Sequence, residues 1–266
     1  MSVNHEIKSQ LARLLATEDL LVEHKKVETA CFNVHTRVLT LPLWERASSG
    51  LYDMLVGHEV GHALFTPDED WLEEHKIPQQ FVNIVEDARV EKLMKRKYAG
   101  LAKTFFNGYK ELHENDFFSI ADEDVSMMNL ADRVNLYFKV GNFISLDFNV
   151  EEKEIIDLIA ATETFADALV AAKQLYNYCK KEKQEQESQE NQEDQEDSQS
   201  PSNEIKETPD SSSEQEEDSD NPQPQQTTET GDTPGDQVSQ SFIQHEEPEV
   251  RTTGNLEDKI RKLTNN

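Results

Sequence analysis

The sequence predicts a mostly helical α+β domain over residues 1–180, a disordered acidic linker over residues 181–240 and a short C-terminal segment over residues 241–266. Apolar residues recur at helical spacing through most of the first part, with one alternating stretch among them. Residues 181–240 contain 19 Asp or Glu against three Lys, and Ile205 and Val238 are their only aliphatic side chains. Such a segment buries too little apolar surface to offset the entropy lost on ordering.

Periodicity predicts the elements of the first part. The apolar pattern favours helices over about 5–22, 50–65, 78–97, 126–140 and 150–180, with an irregular region over 100–125. Residues 30–41 alternate between apolar and polar side chains, which favours a strand ending at Pro42. The first helix is expected to bury the apolar residues at helical spacing, which are Ile7, Leu11, Leu14 and Leu15.

The net charge of −28 argues against nucleic acid or an anionic membrane as the main partner. No apolar run approaches membrane-spanning length, and the N-terminus contains no apolar signal core. Without an export signal, Cys31 and Cys179 are expected to be reduced thiols of a cytoplasmic protein.

A candidate zinc site lies in the segment His58–His62, which reads His-Glu-Val-Gly-His within the helix predicted over 50–65. Residues four apart share one face of a helix, so His58 and His62 direct two imidazoles to one point, as zinc requires. Glu59 is placed beside the metal, where a general base takes a proton from water. Gly61 costs on the order of 1 kcal/mol of helix propensity, which indicates close packing of a neighbouring element.

A catalytic zinc site with three protein ligands needs one more. We expect Glu86 to supply it, since Glu86 lies 24 residues after His62 between apolar neighbours of the next long helix. Asp87 is the alternative ligand, or an acceptor for a histidine N–H. Arg89 is suited to hold a carboxylate by a bidentate pair, and Asn83 is a further candidate to support the ligands.

The segment His58–His62 followed by Glu86 resembles the zincin metallopeptidases whose third ligand is a glutamate. The resemblance implies a zincin-like domain in which an active-site helix, a second ligand helix and a small sheet hold Zn²⁺. The edge strand of that sheet pairs with the substrate backbone. No residue is assigned from sequence as the stabiliser of the transition state, for which the candidates are Tyr98, Tyr109 and His113.

A second resemblance begins at Glu86–Glu91 and continues through Lys95–Ala102, which is similar to the N-terminal region of the cobaltochelatase subunit CobT. That family has a helical domain, a long acidic linker and a von Willebrand A domain, in this order. Glu249–Gly254 resembles the run-in to the third part, so residues 241–266 are interpreted as the approach to a missing domain. Such CobT-like, peptidase-like proteins occur in large tailed phages, which implies the host cytoplasm and a MoxR-type AAA+ ATPase as partner.

Two functions therefore compete. The first is a zinc metalloendopeptidase that hydrolyses peptide bonds of a peptide or protein substrate, with Glu59 as base. The second is a non-catalytic CobT-like adaptor that works with the ATPase, with zinc structural or absent. Glu59 separates the two, because an adaptor needs no base beside the metal. The sequence identifies neither the substrate nor the oligomeric state.

Overall fold

A computed structural model of the chain describes residues 3–27, 29–44, 47–71, 75–197 and 247–252. For residues 189–197 it describes the backbone only. One compact unit comprises Met1–Gln186 and Glu247–Asn266, and a second comprises Glu187–Glu246. Within these described ranges, the second unit consists of the end of one helix.

Helices predominate in the described residues and a three-stranded sheet accompanies them, so the α+β class predicted from the sequence is confirmed. In chain order the elements are α1 (His5–Ala16), β1 (Leu21–Lys25), β2 (Cys31–Asn33), β3 (Val38–Pro42), α2 (Ser49–Phe65), α3 (Gln79–Lys97), α4 (Leu101–Glu114), α5 (Leu130–Val140), α6 (Val150–Ala161) and α7 (Phe165–Asp197). A short 3₁₀ helix at Val125–Met127 precedes α5.

The three strands form one sheet in the order β1-β3-β2. β1 runs parallel to β3, and β2 runs antiparallel to it in a hairpin. The alternating stretch predicted as one strand therefore contains two strands and a turn. At this turn Arg37 has a φ of 58°, and the Asn33 side chain accepts a hydrogen bond from the backbone N–H of Thr36. The hairpin leaves β2 at an edge of the sheet, in contact with α2.

Helix α2 is the central element, and it matches the helix predicted over 50–65. It begins after Ser48, whose side-chain oxygen accepts a hydrogen bond from the backbone N–H of Leu51 at 3.0 Å. The helix contacts α1, α3, α4 and the sheet, which explains its apolar composition. A Cβ atom on Gly61 would lie 3.0 Å from Cγ of Met94 on α3. The glycine thus allows the close approach of a neighbouring helix, as the sequence predicts.

Two apolar cores flank α3. One contains residues of α1, the sheet, α2 and α4, and the other contains residues of α3, α5, α6 and α7 together with Val250. Helix α3 contributes Met94 to the first core and Phe81 and Val85 to the second. It matches the helix predicted over 78–97, and Pro78 immediately precedes it.

Helix α1 departs from its prediction in length and in its buried face. It ends at Ala16, where Thr17 has a φ of 58°, and the chain then forms β1. Ile7 and Leu14 are exposed, whereas Lys8, Ala12 and Ala16 are buried. Two alanines allow close packing against α2, and Lys8 Nζ is satisfied there by Ser49 Oγ at 2.8 Å and by Asp53 Oδ1 at 2.5 Å.

Two later predictions also need correction. The region 100–125 was predicted to be irregular, yet α4 occupies Leu101–Glu114, since Phe105, Tyr109 and Leu112 form a helical apolar stripe. The helix predicted over 150–180 is interrupted between α6 and α7, where Thr164 and Asp167 cap a new helix by reciprocal hydrogen bonds.

The predicted disordered linker and C-terminal segment are described only in part. Residues 181–197, predicted to be disordered, continue α7, because Glu, Gln and Lys are good helix formers. Residues 198–240 lie outside the described residues. Of residues 241–266, the structure describes Glu247–Thr252, which packs against the helical domain.

Candidate metal centre

Helix α2 presents the predicted histidines to one point. The rings of His58 and His62 are 5.0 Å apart between centroids, and Nε2 of each faces the Asp87 carboxylate of α3. The distances to Oδ1 of Asp87 are 3.6 Å from His58 and 3.2 Å from His62. Tetrahedral zinc with ligands at about 2.0–2.1 Å has ligand-to-ligand distances of roughly 3.3 Å. These three side chains also form a group whose donor atoms lie within 4.8 Å of one another.

The tautomer of His58 is fixed by Glu91 of α3. Nδ1 of His58 lies 3.0 Å from Oε1 of Glu91, and Glu91 also accepts hydrogen bonds from the Tyr109 hydroxyl and from Lys95 Nζ. An ionised carboxylate can only accept, so Nδ1 carries the proton and donates it. In the neutral imidazole, Nε2 of His58 then carries the lone pair, and it faces Asp87.

His62 is oriented by an equivalent chain of three groups. The Thr66 hydroxyl donates to Oε1 of Glu86 at 2.6 Å, and its oxygen lies 3.0 Å from Nδ1 of His62. Because the hydroxyl hydrogen is used on Glu86, the oxygen accepts from Nδ1, and Nε2 of His62 is again the free ligand atom. Hydrogen bonds of this kind hold metal-binding histidines in known metal sites.

The structure brings Asp87, not Glu86, to the histidine nitrogens. Glu86 is 3% exposed, and it accepts two hydrogen bonds from Arg89, at 2.7 Å from Nε and 2.6 Å from Nη2. Asp87 and Glu86 face different ways because successive residues of a helix differ in direction by about 100°. Arg89 makes the predicted bidentate pair, and Asn83 is exposed and lines the cavity.

Lys139 of α5 was not predicted to belong to the site. Its Nζ lies 2.8 Å from Oδ2 of Asp87, the carboxylate oxygen that faces away from the histidine contacts. Among the candidates for stabilising a transition state, Tyr109 lines the cavity, while Tyr98 donates to the Leu15 carbonyl and His113 stacks on Phe143. A half-buried lysine on a helix two elements away belongs to no local motif, so only the tertiary structure shows that it reaches Asp87.

Glu59 is 6% exposed and lines the same cavity as the histidines. Burial raises the pKa of its carboxyl group. Within the described part of the chain, no donor makes a hydrogen bond to this carboxylate. A carboxylate that is buried beside the histidines and has no partner in these ranges is suited to exchange a proton with a bound molecule.

Three carboxylates surround the histidines and control the local charge. Burial lowers the pKa of His58, but Asp87 and the hydrogen bond to Glu91 more than offset this and raise it to about 9. Burial opposes ionisation of Asp87, but Lys139 and His58 hold its pKa far below the ordinary range. Positive charge is therefore strongly favoured between these carboxylates, as a proton or as a metal ion.

A cavity of about 590 Å³ leads to the histidines. Edge strand β2 forms one wall through Cys31 and Phe32. Two further lining residues carry buried polar atoms without a partner in the described ranges, namely Nε1 of Trp44 and Oδ1 of Asn135.

Comparison with known proteins gives no assignment: no family model, no curated protein and no solved structure matches the chain. None of the helices in the described ranges is both long enough and apolar enough to cross a membrane.

Proposed function

We propose that the chain is a zinc-dependent metallopeptidase with a zincin-like site, in which His58, His62 and Asp87 hold the ion and Glu59 is the general base. The observation that carries the proposal is the convergence of two imidazole Nε2 atoms, each fixed by a hydrogen bond at Nδ1, on one oxygen of Asp87. Two nitrogens and one carboxylate oxygen are a ligand set typical of catalytic zinc, which leaves a fourth position for water or substrate.

The pattern of carboxylates around the histidines supports zinc over an ordinary ion-pair network. A network needs only opposite charges, whereas Glu91 and Thr66 each bind the nitrogen that faces away from Asp87. Fixing the ring in this way has a purpose if the other nitrogen binds a metal ion. The segment Glu86–Glu91, which carries the CobT resemblance, supplies these supporting carboxylates, so both resemblances refer to the same site.

A bound zinc ion supplies Lewis acidity, which polarises a peptide carbonyl and makes water more acidic. Glu59 then accepts a proton from water at its carboxylate and later transfers it to the leaving amine. Burial, which raises the pKa of Glu59, favours uptake of a proton by its carboxylate. Lys139 holds Asp87 through Oδ2 and keeps Oδ1 directed at the histidines.

An extended peptide is the proposed substrate. The edge strand β2 lines the cavity, and its free edge offers backbone groups for pairing with a substrate strand. This arrangement selects for an extended backbone more than for one particular side chain.

Cleavage of a peptide library by wild type and by Glu59→Gln tests the proposal. The amide keeps the size of the side chain but cannot take a proton, so turnover should fall by roughly 10²-fold or more with zinc retained. Glu154→Gln, an exposed change on α6, serves as the matched control and should cleave as wild type does.

Undiminished cleavage by Glu59→Gln would reject the proposed base. Full zinc occupancy without any cleavage by wild type, together with recovery of a MoxR-type AAA+ ATPase, would instead support the adaptor function.

A further inference from the structure

The C-terminal segment Glu247–Thr252 lies in a groove on the helical domain. In the chain it follows the end of α7 at Asp197 only after a long interval. Side chains bind its backbone at five points, one of which is Lys183 Nζ donating to the Glu247 carbonyl at 3.3 Å. Gln80 Nε2 donates to the Pro248 carbonyl at 3.0 Å, and Asn129 Nδ2 donates to the Glu249 carbonyl at 2.7 Å. The backbone N–H groups of Arg251 and Thr252 donate to the two carboxylate oxygens of Asp132, at 3.2 and 2.6 Å.

One apolar side chain anchors the segment. Val250 is 1% exposed and joins the core formed by α3, α5, α6 and α7. Polar contacts on either side hold the ends, since Glu247 accepts from the Tyr176 hydroxyl and Arg251 donates to Glu123 at 2.5 Å. A central apolar anchor between satisfied backbone groups is the arrangement by which domains bind extended peptides.

Asp132 indicates that the groove is built for an occupant. Its side chain is fully buried, and both of its carboxylate oxygens are used on the backbone of the segment. With the segment in place, these two donors offset the cost of desolvating the carboxylate. Asp132 therefore recognises two successive backbone N–H groups of the bound segment.

We propose that this groove is a peptide-docking site whose occupant is the chain's own segment Glu247–Thr252. The segment stays bound when the linker is cut, and a free peptide of the same sequence can replace it. The site is distinct from the proposed metal centre, because the side chains that bind the segment, such as Gln80, Asn129 and Asp132, are not among the proposed ligands. It nevertheless reaches the cavity, since Asn135 Nδ2 donates to Thr252 Oγ1 at 3.0 Å and both residues line the cavity. Docking of the segment thus positions the side-chain amide of Asn135, whose Oδ1 has no partner in the described ranges.

The test uses the full chain with a specific protease site introduced near residue 220, cut after folding. The C-terminal fragment should remain with the domain in gel filtration, and an excess of a synthetic peptide of residues 244–256 should displace it. The same peptide with Val250→Asp should compete about tenfold or more weakly, because a carboxylate cannot replace a buried valine. Placing the change in the competitor leaves the folding of the domain untouched.

Three results would overturn the proposal: loss of the fragment on cutting without competitor, equal displacement by both peptides, or a fragment that no excess of peptide displaces. An uncut chain that is dimeric and becomes monomeric on cutting would assign the groove to the segment of a second copy. Zinc content, measured in parallel, should not change on displacement, so this test is independent of the metal-site proposal.

Discussion

Nδ1 of His58 lies 3.0 Å from Oε1 of Glu91, and this contact decides which nitrogen of the ring faces the interior of the site. Glu91 is 3% exposed and also accepts from the Tyr109 hydroxyl and from Lys95. With three donors on one carboxylate, the ring of His58 cannot turn without leaving a buried group unpaired. Glu91 therefore fixes the orientation of His58 through the ring nitrogen that does not face Asp87.

The identity of the third ligand gives the first prediction. Asp87→Ala should abolish stoichiometric zinc binding, because it removes the carboxylate that both Nε2 atoms face. Glu86→Gln should keep zinc, since its carboxylate contacts Thr66 and Arg89 and not the histidine Nε2 atoms. Elemental mass spectrometry of the dialysed variants measures the metal content. The reverse pattern would return Glu86 to the ligand position.

Glu91→Gln gives the second prediction. The amide orients His58 less well than a carboxylate, so zinc should bind with the same stoichiometry but about 10–100-fold more weakly. Competition with a chromogenic chelator measures the affinity. Glu154→Gln removes an exposed carboxylate and should leave the affinity unchanged. An unchanged affinity in Glu91→Gln would mean that the hydrogen bond at Nδ1 does not serve metal binding.

The sequence predicted the helix that carries His58, Glu59 and His62, because a residue pattern with a period near four is local information. It ranked Glu86 above Asp87 as third ligand, because spacing along the chain does not tell which of two adjacent carboxylates faces a neighbouring helix. That choice depends on the bidentate pair between Glu86 and Arg89, and on the close packing at Gly61.

Other parts of the structure were beyond reach of the sequence for a related reason. Lys139 and the docking of Val250 involve residues far apart in the chain. The sequence did not reveal helix α4 because the members of its aromatic pair lie on different sides of the helix: Phe105 is buried and Phe106 is exposed. Long-range contacts of this kind follow from packing, which a single sequence does not specify.

Metal removal gives a prediction about pH. In the metal-free protein the pKa of His58 is raised from 6.5 to about 9, with burial opposing the rise and Asp87 and Glu91 causing it. A raised pKa stabilises the folded state fully below pH 6.5, and this contribution is lost as the pH rises toward 9. The thermal midpoint of chelator-treated protein should therefore fall across this window. In His58→Gln the fall should be clearly smaller.

Zinc should reverse that dependence, because the ion binds the neutral imidazole and competes with protons. Thermal midpoints of the zinc-loaded protein, measured over the same pH window, provide the comparison. A decline of equal slope with and without zinc, or an equal slope in His58→Gln, would contradict the assignment of His58 as the titrating group and ligand.

The last prediction concerns Lys139, whose ammonium group balances the carboxylates of Asp87, Glu59 and Glu91. Lys139→Met keeps the length of the side chain and removes its charge, so in the metal-free protein the half-buried carboxylate of Asp87 loses a hydrogen bond. The metal-free variant should be destabilised. A zinc ion would then be the main positive charge at the site, and the increase in thermal midpoint on adding zinc should be larger in Lys139→Met than in wild type. Lys110→Met, on the exposed face of α4, should leave that increase unchanged. A smaller increase in Lys139→Met would mean that Lys139 acts mainly by orienting Asp87, since loss of orientation weakens zinc binding while loss of a nearby positive charge strengthens it.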